Sequence, residues 1–371
     1  MKKTLAAALA CLPFSLLLFA TPARAEVVET PEGTLEVLGL ESWTVEKIRH
    51  ALAERFPGVP PELSAMALGE LGFPSVSIQS EPRPEGRTYT VITLVEPERA
   101  DRVRRKAPFP SSRVPLAAWQ DMVDLVSKQP GSLQVVAAFF PAVGPGVGIP
   151  DAALETGPAD PKTVRRLWKL VESRRSEADR DLALWALAND PNVWNRATAA
   201  VLLASFPDRD LTWWTLLDAQ RDPAGIVSAI AGQVLQGLSR RAPRKVDWQP
   251  ALGSVRALLD GANLFAFDTT LDVLVATGLS PDFSRELLRA GGADLVLARL
   301  GARHEPVRKS AHGFLKYLSG KDLGTDAAGI AAWRTWLDGL GGPAPEPAPG
   351  GGHTASFKAG SEAAWVRYSP R

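Results

Sequence analysis

The stretch "NDPNVWNRATAAVLLASF", residues 189–206, decides how this chain folds. Asp190-Pro191 starts a helix, and an alanine, Ala197, follows seven residues after the acid. "RDPAGIVSAIAGQVLQGL" (221–238) repeats the pattern with Asp222-Pro223 and Ala229. "RHEPVRKSAHGFLKYLSG" (303–320) keeps the offset from His304 to Ala311, with its proline one place later at Pro306. The interval from Asp222 to His304 spans two periods, and the intervening copy falls on "GANLFAFDTTLDVLVATG" (261–278) with its signature decayed. Amphipathic partner helices lie between, among them "TVRRLWKLVES", "DRDLALWALA" and "DLTWWTLLDAQ". Paired helices at a period of roughly 30–45 residues are the mark of an α-solenoid. One pair cannot bury its apolar stripe alone, so pairs stack and share a core.

These residues resemble the HEAT-repeat family, whose second helices open on Asp-Pro-x-Val-Arg and continue with alanine and leucines. Asp190-Pro191-Asn192-Val193 and Pro306-Val307-Arg308 carry the likeness over residues 160–340. It implies a helical-repeat body that offers a surface to a protein partner.

Working outward, residues 34–97 change period several times. "TLEVLGL" alternates as a strand, and "TVEKIRHALAERF" is a helix capped by Thr44 with Val45, Ile48, Leu52 and Phe56 on one stripe. "PPELSAMALGELGF" gives a second helix with Leu63, Met66, Ala67 and Leu71 as its apolar face, and "SVSIQS" and "RTYTVITLVEP" are strands. This β-α-α-β-β order, with Leu71-Gly72-Phe73, resembles a POTRA module of bacterial envelope assembly, which implies a binding role by sheet-edge addition. The expected fold class is therefore α+β multidomain: a small N-terminal α/β module, then an all-α HEAT-like helical-repeat solenoid.

Between them "ERADRVRRKAPFPSSR" gathers Arg99, Arg102, Arg104, Arg105 and Lys106 and reads as a solvated connector, with a patch for an acidic partner as the alternative. "PLAAWQDMVDLVSKQPG" reads as a helix stopped by Pro130-Gly131, and "SLQVVAAFF" as a buried strand. The boundaries that follow are a signal peptide at 1–25, an α+β domain at 26–141, a Pro/Gly-rich linker at 142–159, repeats at 160–340 and a flexible tail at 341–371.

Lys2, Lys3, the apolar run "LAAALACLPFSLLLFA" and the "ARA" site ending at Ala25 predict export to the periplasm or beyond, with a mature chain starting at Glu26. The only cysteine, Cys11, is lost with that peptide, which excludes thiolate chemistry and disulfides from the mature chain. A formal net charge of +1 gives no drive toward nucleic acid, and no second long apolar run predicts stable membrane insertion.

No metal, nucleotide or nucleophile motif joins His50, His304, His312 or His353, so neither an enzyme nor a cofactor is expected. Asp179, Asp181, Asp208 and Asp210 open helices and read as caps. Tryptophan is the unusual residue: Trp168, Trp185, Trp194, Trp213 and Trp214 crowd the first two repeats. Adjacent Trp213 and Trp214 point about 100° apart on a helix, so they and Trp194 are the candidate partner-binding residues. Trp333 and Trp336, on one stripe with Leu337 and Leu340 after the Asp322-x-Gly-x-Asp326 turn, read as a structural cap on the last repeat.

The reading is an exported, non-enzymatic interaction scaffold. Alternatives are an envelope-assembly factor acting through the POTRA-like module, and an enzyme or small-ligand-binding protein built on a helical solenoid.

Overall fold

The computed structural model describes residues 24–57, 65–155, 159–289 and 293–340. Residues 1–23 of the expected signal peptide, the tail with His353, and Leu63 lie outside them.

The chain opens with β1 (Arg24–Thr30) and β2 (Gly33–Leu40), an antiparallel hairpin. Gly33, at φ 148°, is needed at the turn because a Cβ there would stand 1.8 Å from the Thr88 carbonyl oxygen. Helices α1 (Val45–Arg55) and α2 (Ala65–Glu70) cover the sheet, with Thr44 capping α1 through Lys47 N. β3 (Ser75–Pro82) and β4 (Thr88–Val95) complete a four-stranded sheet ordered β1-β2-β4-β3, in which β2 and β4 run parallel. The expected strand-helix-helix-strand-strand order is present, and β1 adds an edge strand that sequence reading missed. Met66 is 81% exposed rather than on the apolar face of α2, and Leu68 is buried in its place.

The rest is helical: α3 (Gln120–Lys128), α4 (Pro130–Val143), α5 (Asp151–Glu155), α6 (Pro161–Glu172), α7 (Glu177–Asn189) and α8 (Val193–Leu202). After them come α9 (Asp210–Ala219), α10 (Gly225–Arg241), α11 (Leu252–Leu259) and α12 (Phe267–Thr277). The series ends with α13 (Pro281–Arg289), α14 (Asp294–Leu300), α15 (Glu305–Ser319) and α16 (Ala327–Leu340). They stack in two layers. One runs α7, α9, α11, α13, α16; the other runs α4, α8, α10, α12, α15, each helix packing on the next. The copy expected at 261–278 falls on α12, which packs between α10 and α15. The architecture is thus α+β, a small mixed sheet followed by a helical body.

One expected element is wrong in kind. "SLQVVAAFF" is the middle of α4, not a strand: Pro130 starts the helix at its first turn, and Leu133, Val136, Ala137 and Phe140 are buried at helical spacing. α4 packs on α6, α8 and α10, where Gly237 lets the backbones close up, since a Cβ there would meet Pro141 at 2.6 Å. The helical core therefore takes in α3 and α4 ahead of residue 160, and α5, with Ala153 buried, lies inside the expected linker.

Candidate functional site

The site is assembled from the connector and the helix ends it crosses. Segment 103–116, with Arg102 just before it, runs without helix or strand past the C-terminal ends of α9 and α11 and the start of α14. Its cations meet one carboxylate after another: Arg102 Nη1 to Asp294 at 2.7 Å, Arg104 Nη2 to Asp260 at 2.8 Å, Lys106 Nζ to Asp218 at 2.5 Å. Arg99 pairs with Glu41, and Arg105 donates to the Pro74 carbonyl. Asp218 and Asp260 sit at the C-terminal ends of α9 and α11, so the carboxylates and the negative helix ends act together on the strap. The basic run, expected as a solvated connector, finds its acidic partners within its own chain.

The strap's backbone is also held. Asn195 Nδ2 donates to Val114 O and its Oδ1 accepts from Leu116 N, both at 3.2 Å. Arg221 donates through Nε and Nη2 to Arg104 O. Phe109 lies against the Arg196 guanidinium, whose Cζ is 4.0 Å from the ring centroid. Arg196 makes a buried two-pronged pair with Asp222 at 2.8 and 3.0 Å and donates to Asp190 O. Arg196 thus ties the turn after α7, through the Asp190 main-chain oxygen, to the Asp222 carboxylate ahead of α10.

Beside the strap opens a cleft of about 440 Å³, lined by Phe109, Trp214, Pro250, Lys106, Asp218 and Ser254 among others. Trp214 is half-buried, with its ring fixed by Nε1–H donation to Asp247 O at 2.7 Å. Burial works to raise the Asp218 carboxyl, but the Lys106 charge, hydrogen bonds from Lys106 and Ser254, and the Arg221 charge hold it below the ordinary value. The cleft therefore combines fixed aromatic walls with a neutralised ion pair.

The three candidate tryptophans are not brought together there. Trp213 is fully buried, its Nε1–H given to Pro207 O at 2.9 Å, and it belongs to the core rather than to a partner surface. Trp194 is half-buried against the core and does not line the cleft. Trp333 is fully buried and donates to Gly324 O, while Trp336 packs edge-to-face on it at 5.8 Å and stays half-buried.

Asp179 closes a capping box with Ser176, Asp181 pairs with Arg180, and Asp210 pairs with Arg244. His50 is exposed beside Glu54, and His312 meets Asp322 at 2.8 Å. His304 is buried where the sheet meets α15, its Nε2 2.9 Å from Glu81 and its ring stacked on Tyr89. Among the described residues no group of three His, Cys, Asp or Glu could hold a metal ion. No helix among them is long and apolar enough to cross a membrane.

Sequence reasoning missed Asn195, Arg196, Phe109 and Asp218. Asp218, Asp260 and Asp294 lie far apart in the sequence, and only three-dimensional stacking brings them to the basic segment. No protein-family model, curated protein or solved structure matches the chain.

Proposed function

We propose that this protein is an exported, non-enzymatic interaction scaffold, whose HEAT-like helical body presents the Trp214 cleft to a protein partner. The observation that carries the reading is Trp214 itself. Its indole is held by a hydrogen bond on a packed helix, opposite Phe109 and Pro250, with solvent on its open side. A rigid aromatic in a partly desolvated recess is the kind of residue that dominates protein interfaces. Cleavage after Ala25 would remove Arg24 and Ala25 from β1 and keep the pairing of Glu26–Thr30 with β2. Glu26, the first residue of the mature chain on this reading, accepts from Val45 N at 3.2 Å.

Photocrosslinking tests the cleft. Benzoylphenylalanine placed at Trp214 should give a discrete protein adduct in the cell envelope, and the same label at Trp194 should not. The purified adduct partner should bind Trp214→Ala at least about tenfold more weakly than the unaltered protein. Equal binding, or an adduct to a small molecule alone, would overturn the reading.

A further inference from the structure

A second groove, of about 390 Å³, lies between α10 and the 264–266 turn that leads into α12. Its floor is a face of α10 without large side chains: Gly225, Ser228, Ala229 and Gly232, at offsets of three, four and seven. Ala229, which the repeat pattern marks as a close-packing alanine, is exposed here, and no helix among the described residues covers this face. Phe265 stands on the rim, 61% exposed. Among the described residues no charged side chain lines the groove.

An independent feature marks it as a binding site. Gln220, at the end of α9, is wholly buried at the floor, and neither its Nε2 nor its Oε1 has a hydrogen-bond partner among the described residues. A Cβ on Gly232 would stand 3.4 Å from that Oε1, so the amide lies directly against the bare stretch of α10. Gln233 Oε1, also lining the groove, is unpartnered as well. Buried polar atoms are nearly always paired, so a cluster of unpaired amide atoms beside an open groove implies a ligand that pairs them.

We infer that this groove binds an extended, uncharged peptide segment of a partner protein through its main chain. A carboxamide with both donor and acceptor free matches a peptide group, which offers one of each. Asn195 already does this within the molecule, clamping the strap at Val114 O and Leu116 N. The side-chain-poor floor lets a backbone approach closely, Phe265 offers a ring for one apolar side chain, and the absence of charge disfavours ionised residues at the contact. This site stands apart from the Trp214 cleft and does not depend on it.

The test is selection of random phage-displayed dodecapeptides on the purified protein, with counter-selection on Ala229→Arg, which fills the groove from an exposed position. Enriched peptides should lack charge over their contact residues. They should bind at least about tenfold more weakly to Ala229→Arg and to Phe265→Ala, and N-methylation of their central amides should weaken them similarly. Gln220→Leu should also lose binding while keeping the thermal midpoint. Failure to enrich over the counter-target, enrichment of charged peptides, or binding that N-methylation leaves unchanged would overturn the inference. Loss of binding in Trp214→Ala with retention in Ala229→Arg would move those peptides to the cleft. Competition by a neutral oligosaccharide such as chitotriose, with no peptide selected, would reassign the groove to glycan.

Discussion

Arg196 is 3% exposed, and five polar contacts converge on its guanidinium or on the carboxylate facing it. Asp222, its partner, also accepts from Ala224 N and so turns the chain into α10. Removing one side of a buried, hydrogen-bonded pair strands the other, which costs about 3–5 kcal/mol. Arg196→Met should therefore lower unfolding free energy by that amount in urea denaturation, and Arg196→Met with Asp222→Leu should cost less than the single change. A cost below about 1 kcal/mol would show the pair to be idle. Tyr89 carries a different test. Burial first, then its hydrogen bond to Glu36 and that carboxylate's charge, push its phenol well above the ordinary tyrosine value. A raised folded-state value means the native protein holds this proton more tightly than the unfolded chain. The stabilisation is thus complete below the ordinary value of about 10 and is lost as pH rises beyond it. An alkaline absorbance titration should show a late phenolate step that coincides with unfolding and disappears in Tyr89→Phe.

At the scale of elements, the sequence was readable where caps and periods agree and misleading where they compete. Thr44 places α1 as expected, accepting from Lys47 N, whereas α8 is capped by Asn192, which accepts from Trp194 N, two residues after the expected Asp190 start; Asp190 itself closes α7. "VVAAFF" looked like a strand from its β-branched and aromatic residues, yet tertiary packing on α10 overrode propensity, and Pro130 was read as a stop where it is a start. The terminal helix follows its local signals: Asp326 caps α16 through Gly329 N at 2.7 Å, and the helix packs on α13 and α14. Of the two indoles it is Trp333 that is fully enclosed, so the cost falls there. Trp333→Ala should destabilise the protein by about 3–5 kcal/mol, and Trp336→Ala by clearly less. Ending the chain after Gly320 should lower the melting midpoint and produce aggregates in light scattering. A monomer with an unchanged midpoint would remove the lid role.

At the scale of the molecule, nothing in the sequence announced that the sheet and the helical body would be joined by three separate devices. Long-range pairs leave no local signature, because Glu36 and His304 are ordinary until the fold brings them together. The strap is one device. Arg299 is another, reaching from α14 to Thr93 on β4 at 2.9 Å while pairing with Asp268. Glu36 is the third: fully buried on β2, it accepts from Arg303 N at 2.5 Å, His304 N at 3.1 Å and the Tyr89 hydroxyl at 2.9 Å. A carboxylate from the sheet thus satisfies amides that the start of α15 leaves unpaired and meets the positive end of that helix. Leu38, Val91, Ala302 and Val307 form a small apolar cluster in the seam, and beside it Val95 on β4 packs into the main core. Glu36→Ala should expose each bare amide to a cost of about 1–3 kcal/mol and let the sheet open before the helices melt. Hydrogen exchange at residues 303 and 304 should then accelerate, and the thermal transition should split into two. Glu36→Gln, which keeps an acceptor at the helix start, should restore part of the protection. A single unsplit transition with unchanged exchange in Glu36→Ala would show that the apolar cluster and the strap suffice to hold the two parts together.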